Sequence, residues 1–191
     1  MDVPLQSLIA VAIGIGLAAA TGFRVFLPLL IAGAAARWAD LPLANGFQWL
    51  ATTNALLALA TASIVEVAAY YIPIVDHALD VLGGPVAVLA GVFASASTMV
   101  DIRPGVMWPI AIVGGGGMAA LMKVMSALVR TKSGLWTAGL ANPAVSTGET
   151  AGAIVTAIAA IVFPLICLLG IAALLFWMGR RARQMWSGKP A

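Results

Sequence analysis

The sequence predicts an all-α polytopic membrane protein, and three numbers carry that prediction: 62% of its residues are hydrophobic, 9% are charged, and the mean hydropathy is +1.06. Ordinary soluble domains hold about 25% charged residues, so a chain this oily has too little polar surface to face water all round. Inside hydrocarbon no water satisfies an unpaired backbone, and the spanning unit is therefore a helix of about 20 apolar residues.

Five spans follow in order, over 5–36, 48–72, 84–100, 106–129 and 150–178. The first run is long for one helix and reads either as a single tilted helix or as two half-helices broken at "TGFR" (21–24); the last contains Pro164 near its middle. A sixth span results if either run breaks. Between the second and third spans, "IPIVDHALDVLGG" (72–84) is too short and too polar to cross. Bounded by Pro73 and by Gly83-Gly84-Pro85, it predicts a short interfacial helix over 74–82. A basic tail, 179–191, ends the chain.

Orientation follows from Lys and Arg outside the spans. Arg37, Arg103, Arg180, Arg181, Arg183 and Lys189 fall on one side of this five-span scheme, Arg130 and Lys132 on the other. The scheme puts the C-terminus in the cytoplasm, in a bacterial inner membrane, with the N-terminus and "VDHALD" on the opposite side. Trp38, Trp49, Trp108, Trp177 and Trp186 lie near span ends, as interfacial anchors do. The pI near 9.5 thus reads as a topology signal and not as a nucleic-acid interface. Cys167 is the sole cysteine, which excludes an internal disulfide and a thiolate-rich metal site within one chain. Asp2, with no Lys or Arg before the first apolar run, argues against a cleavable signal.

Small residues predict where helices meet, because close backbone approach supplies much of helix association in lipid. Gly14, Ala18 and Gly22 recur every four residues, as do Gly91 and Ser95, and "GGGG" (114–117) demands either tight packing or a break. Such seams also suit a homo-oligomer or a place in a larger membrane complex. "AIGIGLAAATGFR" (12–24) slides onto "AIVGGGGMAALMK" (111–123), a weak internal repeat that would be of the inverted-topology kind if the two helices run antiparallel.

The ionisable residues within the spans are the candidate site, since an intramembrane charge is costly without a partner or a wet cavity. Glu66 lies about six residues, or about 9 Å, inside the second span. Ser63 and Tyr70 share its helix face. Arg24 is near the middle of the first run and needs an anion, for which Glu66 and Glu149 are the choices within or beside the spans. Lys123 is close enough to a helix end to snorkel. In "NPAVSTGE" (142–149), Ser146 and Glu149 match a capping box, while Asn142, Ser146, Thr147 and Glu149 could instead form a polar entrance. Asp76 and Asp80 are spaced to share one helix face beside His77, a weak Mg²⁺ or Ca²⁺ pattern and equally an ordinary wetted face. In the five-span scheme these groups converge on one side as an acidic vestibule.

"AAATGFRVFLPLLIAGAAAR" (18–37), "EVAAYYIPIVDHALD" (66–80) and "LANPAVSTGE" (140–149), in this order, resemble a family of bacterial integral membrane proteins known as the domain of unknown function number four thousand one hundred and twenty-six. The resemblance covers roughly residues 5 to 178. It implies a membrane location and a shared architecture, and no reaction, cofactor or catalytic residue. The residues themselves rank a transporter or channel subunit for a cation, proton or small solute first, a non-catalytic assembly partner second, and a Mg²⁺-dependent lipid-headgroup enzyme third. HExxH and GxSxG are absent from the sequence, and no cofactor is expected.

Overall fold

In the computed structural model of the chain, residues 5–71, 73–137 and 142–186 are described, except for the side chains of 73–82, 134–137, 142, 178 and 181–186. The described residues form helices and no strand: α1 (Leu5–Thr21), α2 (Leu27–Trp38), a 3-10 turn (Gln48–Ala51), α3 (Thr53–Ala69), α4 (Pro73–Ser97), α5 (Pro104–Ile110), a π-helical segment (Ala111–Gly116), α6 (Gly117–Thr137), α7 (Asn142–Val162) and α8 (Pro164–Trp186). Two of these rods, Pro104–Ser133 and Pro143–Val162, are long and apolar enough to cross a membrane, and shorter apolar helices accompany them.

Both ambiguous runs break, and at each break the chain folds back. Gly22–Phe26 separate α1 from α2, and Leu41 returns to share a core with Ile13 and a cavity with Gln6 and Ile9. An unbroken helix would hold Ile9 and Leu41 about 48 Å apart. Pro164 lacks the N–H that would continue α7, so α8 restarts there and runs antiparallel. The Cys167 thiol accordingly lies 3.8 Å from Thr156 O, eleven residues back, and Leu174 and Trp177 line a cavity with Val145 and Gly148. The scheme of five spans is therefore corrected: 5–36 and 150–178 each become two helices. The C-terminal part of α8 lies at the same end of the bundle as the start of α7, where the five-span scheme had separated them.

The predicted separation of an interfacial helix (74–82) from a span (84–100) is also corrected, because α4 runs unbroken through Gly83-Gly84-Pro85. A proline removes one helical hydrogen bond, and packing of the following turns offsets that loss. Ala87, Ala90 and Ala94 are all buried, and α4 lies against α1 and α6.

At the centre stands α1, touching α4, α6, α7 and α8. Its last five residues, Leu17 to Thr21, are completely buried, and the three alanines among them let neighbouring helices approach closely. A Cβ on Gly14 would sit 2.6 Å from Ser95 O, and one on Gly115 would sit 2.7 Å from Gly91 O and collide with the Ser95 side chain. The glycine run thus does both things the sequence offered: it packs against α4, and it lies in a widened π turn. Ile15 lies beside Gly114, and Gly22 beside Met122 and Lys123, so the two repeat segments run parallel. An inverted repeat between them is excluded by that direction.

Gly115→Val is expected to lower thermal stability in detergent by the equivalent of about 1–3 kcal/mol, the usual cost of overpacking. Gly117, whose added Cβ would meet nothing within 4 Å, should accept alanine with unchanged or higher stability, because alanine is the better helix former. Paired melting curves check this; equal losses at the two positions would contradict the seam.

Candidate functional site

The break between α1 and α2 is where the site begins. Gly22 brings the chain against α6, since a Cβ there would lie 2.7 Å from Ala119 O. Two residues later Arg24, with no exposed surface, turns toward α7. Its Nη2 donates to Ser146 O at 2.8 Å and Ser146 Oγ at 2.6 Å, and its Nε donates to Thr150 Oγ1 at 3.0 Å. Glu149 Oε2 lies 3.8 Å from Nη2. One turn of α7 thus surrounds the guanidinium with oxygens. Arg24 Nη1 is buried without a hydrogen-bond partner among the described residues.

Glu149 is the hub of this cluster. It accepts hydrogen bonds from Ser126 Oγ and from Arg130 Nη2, both on α6, besides facing Arg24. Its carboxylate ties α6, α7 and the α1–α2 break together. Tyr70, buried at the end of α3, adds a fourth element: the guanidinium carbons of Arg24 and Arg130 lie over its ring at 4.3 and 4.4 Å from the centroid. Lys123 Nζ donates to its hydroxyl at 3.1 Å. Contacts between a cation and a desolvated ring each contribute about 2 kcal/mol. Glu149 offsets the repulsion between two guanidinium groups sharing one ring.

Glu66 does something different. The residue at the N-cap of α2 is Phe26, which has no side-chain oxygen to receive the exposed N–H groups of the helix start. The Glu66 carboxylate supplies both acceptors from α3, Oε1 to Val25 N at 2.8 Å and Oε2 to Phe26 N at 3.2 Å. A negative charge there also complements the positive end of the α2 dipole.

Two apolar cavities flank the cluster. One of about 710 Å³ is lined by α3, by Val25 and Phe26 just before α2, and by Gly83 and Val86 of α4, with Glu66 and Tyr70 in its wall. The other, about 430 Å³, lies between α6, α7 and α8, with Ser126 and Glu149 in its wall. Arg24 and Tyr70 belong to the polar layer that links the two carboxylates.

Of the residues singled out from the sequence, Arg24, Tyr70, Ser146 and Glu149 come together, with Glu66 alongside. Several expected roles change. The carboxylate nearest Arg24 is Glu149, while Glu66 engages the backbone of α2. Ser146 and Glu149 do not form a capping box, because α7 begins at Asn142 and both lie inside the helix facing its neighbours. Lys123 does not snorkel: it is 8% exposed, and its ammonium group turns inward to Tyr70. Ser63 bonds Leu59 O in its own helix and not Glu66. Thr147 shares a hydrogen bond with Tyr71 at 2.9 Å. The side chains of Asp76, His77, Asp80 and Asn142 lie outside the described residues, so the weak metal pattern has no geometry to examine. Sequence reasoning missed Arg130, Ser126 and Thr150 as site members. A signal existed: Lys123, Ser126 and Arg130 are spaced i, i+3, i+7 and share one face of α6.

The chain belongs to the family of the domain of unknown function DUF4126, whose family profile matches residues 11–184. No curated relative and no solved structure matches it.

With Glu149→Gln, two buried guanidinium groups lose their carboxylate, and the cost should be about 3–5 kcal/mol of stability. Glu66→Gln retains one amide oxygen as an acceptor for α2 and should cost about 1 kcal/mol, the scale of a helix cap. Unfolding of both variants in one detergent measures the difference; a larger loss for Glu66→Gln would contradict the division between frame and cap.

Proposed function

We propose that the chain is an integral membrane protein of the transport class, which passes a cation or proton by way of Glu66. One observation carries this reading: among the described residues lining the 710 Å³ cavity, Glu66 is the only charged side chain. A carboxylate beside an apolar cavity of substrate size attracts cations and repels anions. The Arg24, Tyr70, Arg130 and Glu149 cluster is then the fixed frame that holds the broken helix in place. The second reading, a non-catalytic partner in a larger complex, draws support from the same cluster, since a buried ionic frame can serve packing alone. The lipid-headgroup enzyme rests on Asp76 and Asp80 alone and ranks third.

Sidedness follows from charge. Lys132, Arg180, Arg181 and Arg183 sit at the end of the bundle that holds the cluster, and Arg37 and Arg103 at the other. The positive-inside rule then assigns the cluster, together with the C-terminus, to the cytoplasmic side. This reverses the extracytoplasmic vestibule of the five-span scheme while keeping its cytoplasmic C-terminus.

In proteoliposomes, the wild type should pass protons or a monovalent cation down a gradient, and Glu66→Gln should slow that flux about tenfold or more. Equal flux in the two proteins would remove Glu66 from the path. For topology, single cysteines in a Cys167→Ser background should react with an impermeant reagent from the cytoplasmic side at Tyr71→Cys and Arg180→Cys, and from the outer side at Gly46→Cys. Labelling of Tyr71→Cys and Gly46→Cys from one side would contradict the orientation.

A further inference from the structure

The wall of the larger cavity carries more information than its charge. Besides Glu66 and Tyr70 its polar contribution is Thr61, and the remainder is aliphatic or aromatic, including Phe26, Leu57, Val65 and Val86. A small inorganic cation is a poor occupant of such a space. Mg²⁺ and Ca²⁺ demand six or more oxygen ligands, and stripping water from a compact charge costs several kcal/mol that the four side-chain oxygens of Glu66, Tyr70 and Thr61 do not return. An organic cation with an apolar body has the opposite balance: its spread charge is weakly hydrated, and its body gains from leaving water. The volume of about 710 Å³ is that of a typical small-molecule site.

Glu66 is also able to serve a ligand without releasing the start of α2. Two N–H groups use two of the roughly four acceptor positions on a carboxylate, so further capacity remains. Gly83 lines the end of the cavity beside Lys123 and Tyr70, where an added Cβ would make ordinary contact with Lys123 Nζ at 3.4 Å and the Tyr70 hydroxyl at 3.7 Å. The helix forming the outer wall, α3, packs on α2 and the preceding 3-10 turn and leaves its other flank to the cavity. Thr61 and Val65 are exposed residues in that wall, consistent with entry from the side of the bundle.

We infer that this cavity binds a hydrophobic organic cation, its apolar body against α3 and α4 and its charge at the Glu66 carboxylate. The inference rests on the transport reading above and names the class of solute. An inorganic ion or an anion does not match the same wall.

The probes are two ions of one shape and opposite charge, tetraphenylphosphonium and tetraphenylborate, titrated against purified full-length protein in neutral detergent. The wild type should bind the phosphonium and bind the borate about tenfold more weakly or not at all. Glu66→Gln should weaken phosphonium binding about tenfold or more and reduce the discrimination. Ala62→Phe, which fills the cavity without altering charge, should weaken it as well. Melting curves identify any variant that has failed to fold, and Thr61→Phe replaces Ala62→Phe in that event. Equal binding of both ions, or phosphonium binding unaffected by Glu66→Gln and by the filled cavity, overturns the inference. Proton or small-cation flux that depends on Glu66, without phosphonium binding, overturns the solute class alone and leaves the transport reading standing. Flux independent of Glu66 overturns both.

Discussion

A guanidinium group with no access to solvent has to find its hydrogen bonds inside the protein, and Arg24 finds them on one turn of α7. That requirement organises the rest. For Arg24 to reach Ser146, Thr150 and Glu149, the first helix must stop at Thr21, and α2 must start afresh six residues later. Starting afresh exposes backbone N–H groups inside the bundle, and Glu66 of α3 covers two of them. Glu149, drawn toward Arg24, in turn engages Ser126 and Arg130 of α6. The break, the cap and the ionic layer are consequences of one buried cation.

The geometry separates two carboxylates that look alike in the sequence. Glu149 is surrounded by cationic side chains and spends its capacity on them, which makes it part of the frame. Glu66 is committed to backbone amides, sits in the wall of a large apolar space and retains acceptor capacity. Burial alone would rank them equally, since Glu66 is 8% and Glu149 6% exposed. What distinguishes them is the company each keeps, and this is why Glu66 carries the functional reading.

Much of the architecture is legible in composition. An oily, alanine- and glycine-rich chain with few charges announces packed apolar helices, and the small-residue seams at Gly14, Gly91 and Gly115 are real contacts among α1, α4 and the π-helical segment. The breaks are visible as "TGFR" and Pro164, yet their consequence is not, because a break does not say whether the chain kinks or folds back. Folding back changes the direction of every later helix relative to the first. For that reason the five-span scheme sets Glu149 on the wrong side relative to the C-terminus. Gly83-Gly84-Pro85 fails as a stop signal because packing of the following turns against α1 and α6 holds the helix together, information that a local pattern lacks. The site is half legible: unusual residues such as Arg24 and Glu66 stand out, whereas Arg130 and Lys123 pass for ordinary residues near a helix end. Their inward orientation depends on Tyr70 and Glu149, which come from other helices.

The central claim is that Arg24 and Glu149 act as one unit across the break in the first helix. A double-mutant cycle on unfolding, with Arg24→Gln, Glu149→Gln and the pair, measures this most directly. The account predicts a coupling of about 1–3 kcal/mol, the range for residues in one buried network. Costs that add to within about 0.5 kcal/mol, as they do for independent positions, would contradict it.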